Sequence, residues 1–200
     1  MPSRFRTEDF VHAAVRLIAE GGPGAATASA VARATGAPSG SVYHRFPSSG
    51  DLLAAAWLRP LRRFQDEFLA VLAGEADPIA AGVAAARQVV QWSADHPDDA
   101  ALLARYGRSD FIRSDSSASV RAEADALDDR LNRALADYLA GFRAADRDRV
   151  RLAVVDGPLA LVRRGLGAGG PDAATVDLAA EAARRLLAPS GPPVEMIDSI

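Results

Sequence analysis

Thr27-Ala-Ser-Ala-Val-Ala-Arg-Ala-Thr-Gly36-Ala-Pro-Ser-Gly-Ser-Val-Tyr-His-Arg-Phe46 reads as a helix, a tight turn and a second helix. Small residues fall where the two helices would cross. Ala32 leaves room for close approach, and Gly36 can take the positive φ that the turn needs. Val42 supplies the apolar plug from the second helix. The pattern predicts a helix-turn-helix, a motif whose second helix enters the DNA major groove.

The second helix carries chemistry suited to that place. Pro38 and Ser39 open it, so its first free N–H groups point at whatever lies ahead. Ser39 and Ser41 can donate to or accept from a base edge or a phosphate. Gly40 removes a side chain where backbone must come close. Tyr43 and His44 follow on the exposed side, where phenol and imidazole reach phosphate oxygens or a thymine methyl. Arg45 is a candidate clamp on the DNA backbone, and Thr27 caps the preceding helix with a hydroxyl that can also meet a phosphate. With base readers so short, DNA shape and bridging water are expected to carry part of the specificity.

The run Gly36-Ala-Pro-Ser-Gly-Ser-Val-Tyr-His-Arg-Phe-Pro-Ser-Ser-Gly-Asp-Leu-Leu53 resembles the recognition segment of the TetR/AcrR family of bacterial one-component repressors. The motif likeness covers roughly residues 5 to 58, and beyond it the likeness is one of architecture. The resemblance implies an all-α fold: an N-terminal three-helix helix-turn-helix domain plus a C-terminal helical bundle for ligand binding and dimerisation. It implies a homodimer on a palindromic double-stranded DNA operator, released by a small-molecule effector that is apolar or amphipathic. Ser29, one step inside the first helix of the motif, matches a position where family members reach bases. Ser49 departs from the family: lysine, a phosphate contact, is usual there, and Gly50 replaces the usual acid. One charged contact per subunit is therefore missing, and the salt slope of DNA binding should be shallower by about one to two units per dimer. Arg4 and Arg6 could compensate by reaching the minor groove; the alternative is that they only steer weakly.

Composition agrees with this division. The 200 residues carry a net charge of −3 and 49% hydrophobic residues, ample for a core. Residues 1–64 hold eight arginines against four acids, and the remainder holds 15 arginines against 22, so a +4 head sits on a −7 body. That asymmetry suits a DNA-binding head on a sensing domain. The chain has no cysteine, which excludes disulfides, thiol catalysis and thiolate metal sites and suits a reducing cytoplasm. No apolar run is long enough to span a membrane and no signal-peptide core is present, so a cytoplasmic protein without membrane partners is expected. The boundaries expected are 1–48 for the head, 49–188 for the sensing and dimerisation domain and 189–200 for a flexible tail.

Periodicity and punctuation predict helices throughout. The first spans Thr7 to Glu20, capped by Thr7, with Phe10, Ala14, Leu17 and Ile18 on one face and Gly21-Gly22-Pro23 as its stop. Those glycines follow no strand and precede no Gly-Lys-Ser/Thr, which argues against a phosphate loop. A long helix starts near Ser48 or Ser49, and Pro60 should kink or break it near Trp57, a hinge between head and body. Asp77-Pro78 opens a helix to about Asp95, and Pro97 opens the next, to about Gly107. An amphipathic helix spans Ser117 to Phe142. Asp146 opens another to about Gly165, closed by Gly167–Gly170, and Pro171 opens the last, to about Ala188. The apolar faces of the last two (Val150, Val154, Leu159, Leu161, Val162; Val176, Ala179, Ala180, Ala183, Leu186, Leu187) suggest an isologous four-helix dimer interface. The alternative is that they complete the monomer core.

For the effector cavity that the resemblance implies, the candidate lining is the aromatic set Trp57, Phe64, Phe68, Trp92, Tyr106, Phe111, Tyr138 and Phe142, with plain core packing as the alternative for each. Trp92, Tyr106 and Tyr138 bring a polar tip to an apolar wall. His96, beside Pro97, reads as a cap-region residue. No catalytic residue, cofactor or metal is expected: there is no Gly-x-Ser-x-Gly elbow, no His-Glu-x-x-His pair, and the three histidines lie far apart. A helical protein-interaction module that has lost DNA binding remains the rival reading, and sequence-selective, salt-dependent DNA binding separates the two.

Overall fold

A computed structural model describes residues 5–166 and 169–188. Arg4, Gly167 and the tail 189–200 lie outside them. The described residues are helical with no strand: α1 (Thr7–Gly21), α2 (Ala28–Thr35), α3 (Ser39–Arg45), α4 (Ser49–Gly74), α5 (Pro78–Asp95), α6 (Pro97–Arg105), α7 (Arg108–Phe111), α8 (Ala118–Ala140), α9 (Arg147–Arg151), α10 (Gly157–Gly165) and α11 (Ala173–Leu187).

Five of these helices, α2, α4, α5, α8 and α11, begin with a residue whose side-chain oxygen accepts a free N–H. Thr27 accepts from Ala30 at 3.1 Å, Asp77 from Ala80 at 2.9 Å and Asp172 from Thr175 at 2.8 Å. Two starts differ from the sequence reading. Thr7 is the first residue of α1 rather than its cap; Arg6 holds that place, and the Asp9 carboxylate accepts the Arg6 N–H at 2.7 Å. Pro171 is buried ahead of α11, and Asp172 caps the helix two residues later than expected because its carboxylate reaches the free N–H groups.

Pro60 does not break α4, which runs as one helix from Ser49 to Gly74. The proline is buried, and the packing of both halves outweighs the hydrogen bond its missing N–H forfeits. A proline acts differently further on. Pro158 cannot donate, and between α9 and α10 the backbone widens into a π turn, Leu152–Asp156. There the Gly157 N–H bonds the Leu152 carbonyl, and a Cβ at Gly157 would lie 2.8 Å from that oxygen.

Two apolar cores result. The first gathers Phe10, Val11, Ile18, Val31 and Val42 of the head with the first turns of α4, and it also takes in Leu102, Phe111, Ala124 and Leu127. The second packs Phe68 and Leu72 of α4 with α5, the α9–α10 segment and α11. Alanine and glycine let α11 lie close along α5. At Gly82 of α5, Tyr138 from α8 and Leu187 from α11 converge, and the Tyr138 hydroxyl donates to the Pro78 carbonyl at 2.8 Å.

This packing alters the expected dimer face. Val150, Val154, Val162, Val176, Ala179, Ala180, Ala183 and Leu187 are buried within the protomer, because α5 occupies the side they share. The outward apolar residues of α11 and of the π turn are instead Leu178 and Leu152, each close to half exposed.

Candidate nucleic-acid interface and apolar cavity

The helix-turn-helix closes as its residues require. Gly36 ends α2 with φ 68°, and Val42 is fully buried between the helices. Ser39, Gly40, Tyr43 and His44 are left exposed along α3, with Ser41 half-buried. Nothing lies within 4 Å of where a Cβ on Gly40 would stand, so the backbone there faces open space. Tyr43, at 57% exposure, is the most exposed large hydrophobic residue among those described. Thr27, Ser29 and Ser49 are also exposed.

Arg45 behaves differently from the other candidates. Its guanidinium donates to the Ser41 carbonyl at 3.1 Å and to the Phe5 carbonyl at 2.6 Å, and it lies over the Phe10 ring at 5.2 Å. It ties the recognition helix to the start of α1. Arg6 stays exposed, with its guanidinium 3.8 Å from the Asp9 carboxylate.

Thr27, Tyr43 and Ser49 meet on one groove of about 320 Å3 beside α3. Arg113, which lies 64 positions beyond Ser49 in sequence, joins them there. Sequence reasoning missed it, and no local pattern in the loop that follows α7 marks it. Its loop is fastened to the N-terminus of α4: the Ser48 hydroxyl donates to the Asp115 carbonyl at 3.3 Å, and the Ser117 N–H donates to Asp51 at 2.9 Å.

The second feature lies deeper, between α4, α5, α6 and α10. A cavity of about 180 Å3 is walled by Trp57, Leu61 and Phe64, by Val89, Trp92 and Ser93, by Ala100, Leu103 and Ala104, and by Leu159 and Val162. No charged side chain belongs to this wall. Both tryptophans of the chain are in it, and the indole N–H of each is buried without a hydrogen-bond partner. Such a donor costs roughly 1–3 kcal/mol unless something accepts it. Ser93 already donates its hydroxyl to the Val89 carbonyl at 2.8 Å.

Of the aromatic set, Trp57, Phe64 and Trp92 line this cavity. Phe68 stacks behind Phe64 at 5.8 Å, Tyr106 stands edge-on to Phe111 at 5.9 Å, and Phe111 lies nearly parallel to Trp57 at 6.2 Å. Tyr138 and Phe142 pair with each other near Pro78, away from it. The rest of the wall is aliphatic apart from Ser93, and no aromatic residue in the sequence marks it. His96 packs edge-on against Trp92 at 5.0 Å from behind.

Head and body are joined by charge as well as by packing. Arg59 of α4 pairs with Glu8 of α1 at 2.9 Å. A backbone hydrogen bond, with Arg59 beside it, holds the Glu8 carboxyl below its ordinary range. Arg63 pairs with Asp99 of α6 while its guanidinium stands 5.7 Å from the Trp92 ring. Burial pushes the Asp99 carboxyl up, against the pull of Arg63, His96 and His12. Among the described residues there is no cluster of potential metal ligands and no helix long and apolar enough to cross a membrane.

A helix-turn-helix head is thus joined by one long helix to an all-α bundle that holds the apolar cavity. Residues 10–56 match the family described as bacterial regulatory proteins, tetR family. The helix-turn-helix head is thus a DNA-binding domain of the tetR family type, and the whole chain shares its fold with the structures that follow. The fatty acid degradation regulator FadR from Bacillus halodurans is 17% identical, with a TM-score of 0.69 over 92% of this chain and 98% of that one. FadR from Bacillus subtilis, solved with stearoyl-CoA, is 15% identical at 0.68, again over 92% and 98%. A TetR-like transcriptional regulator from Rhodococcus sp. RHA1 is 23% identical at 0.68, over 95% and 100%. These identities carry the fold. No curated protein matches this sequence.

Proposed function

We propose that this protein is a homodimeric transcriptional regulator of the bacterial cytoplasm, a repressor that leaves a palindromic operator when a small neutral molecule enters the cavity. The observation that carries the reading is the course of α4. Its N-terminus, at Ser49, borders the recognition groove, and its middle turns supply Trp57, Leu61 and Phe64 to the cavity wall. One continuous helix thus touches both sites, which is what coupling between them requires.

Thr27, Ser29, Ser39, Gly40, Ser41, Tyr43 and His44 would face DNA, while Arg45 would hold α3 in position rather than grip a phosphate. The dimer would form through the outer face that carries Leu178. The cavity wall suits an apolar molecule with a hydrogen-bond acceptor for the two indoles. At about 180 Å3 it is near the roughly 150 Å3 that holds benzene and below the roughly 300–1,000 Å3 of drug-sized sites. Ring-sized aryl ketones fit it better than the long acyl chain that accompanies FadR of Bacillus subtilis.

The test is fluorescence anisotropy of the purified protein on DNA from upstream of its own coding sequence, with random DNA as competitor, at two salt concentrations. Selective binding that weakens with salt is the expected result. Equal, weak binding to both DNAs would overturn the regulator reading. Acetophenone and α-methylstyrene, which differ by an acceptor oxygen, then test the cavity. The ketone should shift the two indole N–H resonances and bind about ten-fold tighter. Equal affinity would refute the hydrogen-bonding role of the tryptophans.

A further inference from the structure

We infer that Arg113, carried by the loop between α7 and α8, grips a phosphodiester of bound DNA beside the recognition helix. The inference rests on the DNA-binding reading above and extends the interface to a residue of the sensing body. Among the described residues lining the groove that holds Thr27, Tyr43 and Ser49, Arg113 bears the only charge. Its side chain is 59% exposed. Thr27, Ser49 and Tyr43 line the same groove as Arg113, at the N-terminus of α4 where free N–H groups favour an anion. Ser49 itself brings no charge, so the cation has to come from elsewhere.

The loop is built to stay there. Beyond the Ser48 and Ser117 hydrogen bonds, the Asp115 carboxylate rests on Gly50, where a Cβ would stand 2.7 Å from its Oδ1. A larger residue at position 50 would displace the Asp115 carboxylate from that place. Two acids are therefore close, Asp51 and Asp115. Asp51 is occupied by the Ser117 N–H, and Asp115 approaches Arg113 only to 3.7 Å. A guanidinium has five N–H donors, so a loose ion pair leaves enough of them for a phosphate.

The same loop leads back to the cavity. Phe111, two residues before Arg113, lies 6.2 Å from Trp57 with the rings 9° from parallel. A molecule pressing on Trp57 from inside would press on Phe111 and carry Arg113 off the DNA.

The salt dependence of binding to the upstream DNA tests this, with wild type, Arg113→Ala, Arg113→Lys and Asp115→Asn compared in anisotropy. Each lost phosphate contact lowers the slope of log K against log salt by about 0.9, so Arg113→Ala should be shallower by about two units per dimer. Lysine should restore the slope, because a charge suffices, whereas a merely structural arginine would not be rescued. Asp115→Asn, which releases the guanidinium, should tighten binding. A wild type that binds selectively beside an Arg113→Ala variant of unchanged slope would overturn the inference and leave the regulator reading standing. A wild type without selectivity would remove both.

Discussion

Replacing Gly40 by alanine should move stability and DNA affinity in opposite directions. Gly40 is the second residue of α3, in ordinary helical conformation, and an added methyl would meet no atom within 4 Å. The free protein therefore gains the helix preference of alanine and loses nothing to a clash. That difference is about 0.5–1 kcal/mol in a helix interior and about half of it near the N-terminus, so a rise in Tm of about 0.5–2 °C is expected for a domain of this size. On DNA the same methyl stands where the backbone of α3 would meet the groove wall, and loss of that approach should weaken binding at least ten-fold, on the order of 1.4 kcal/mol. Thermal denaturation without DNA and anisotropy with it read the two effects separately. A variant that is more stable and binds DNA as well as wild type would show that this end of α3 does not enter the groove. A less stable variant would show that the open space at Gly40 is misjudged.

Other substitutions follow from the same geometry. Gly36→Ala meets no neighbour either, but its φ of 68° costs an L-residue about 1–2 kcal/mol, and chemical denaturation should show that loss, with Gly36→Asn falling between the two. Gly82→Ala would place a Cβ against the Tyr138 hydroxyl and 2.6 Å from Leu187, an overpacking worth about 1–3 kcal/mol; the cost should shrink in a Tyr138→Phe background, and a double-mutant cycle that finds strict additivity would refute the contact. Burial, with Asp77 nearby, pushes the Tyr138 phenol up to about 12 from its ordinary 10. A raised folded-state pKa means this group's contribution is whole below pH 10 and is lost as pH rises towards 12, so Tyr138→Phe should flatten stability over that window.

Local signals made the head legible. A threonine three residues before a free N–H, a glycine that alone tolerates φ 68° and a valine at the crossing point act within a few residues of one another, so Thr27, Gly36 and Val42 could be read in order. Most helix starts followed for the same reason, whereas the short α7 and the division of α9 from α10 did not, and the family of the head rested on that segment. Signals failed where two outcomes shared one local pattern. Pro60 and Pro158 both sit inside helical periodicity, yet one is absorbed by packing and the other opens a π turn, since only the surrounding core decides whether the lost hydrogen bond is compensated.

What the sequence alone determined, then, is the all-α architecture, the helix-turn-helix and the residues that α3 exposes, because capping, φ preference and amphipathic spacing are short-range. Tertiary structure alone decided which aromatics enclose the cavity, which apolar faces the protomer keeps for itself and where Arg113 stands. Trp57 and Trp92 come from two helices, and Arg113 and Ser49 lie 64 residues apart, so their meeting depends on how the helices pack. Apolar burial is non-directional and roughly proportional to area, so it drives helices together without specifying from periodicity which side chains will touch.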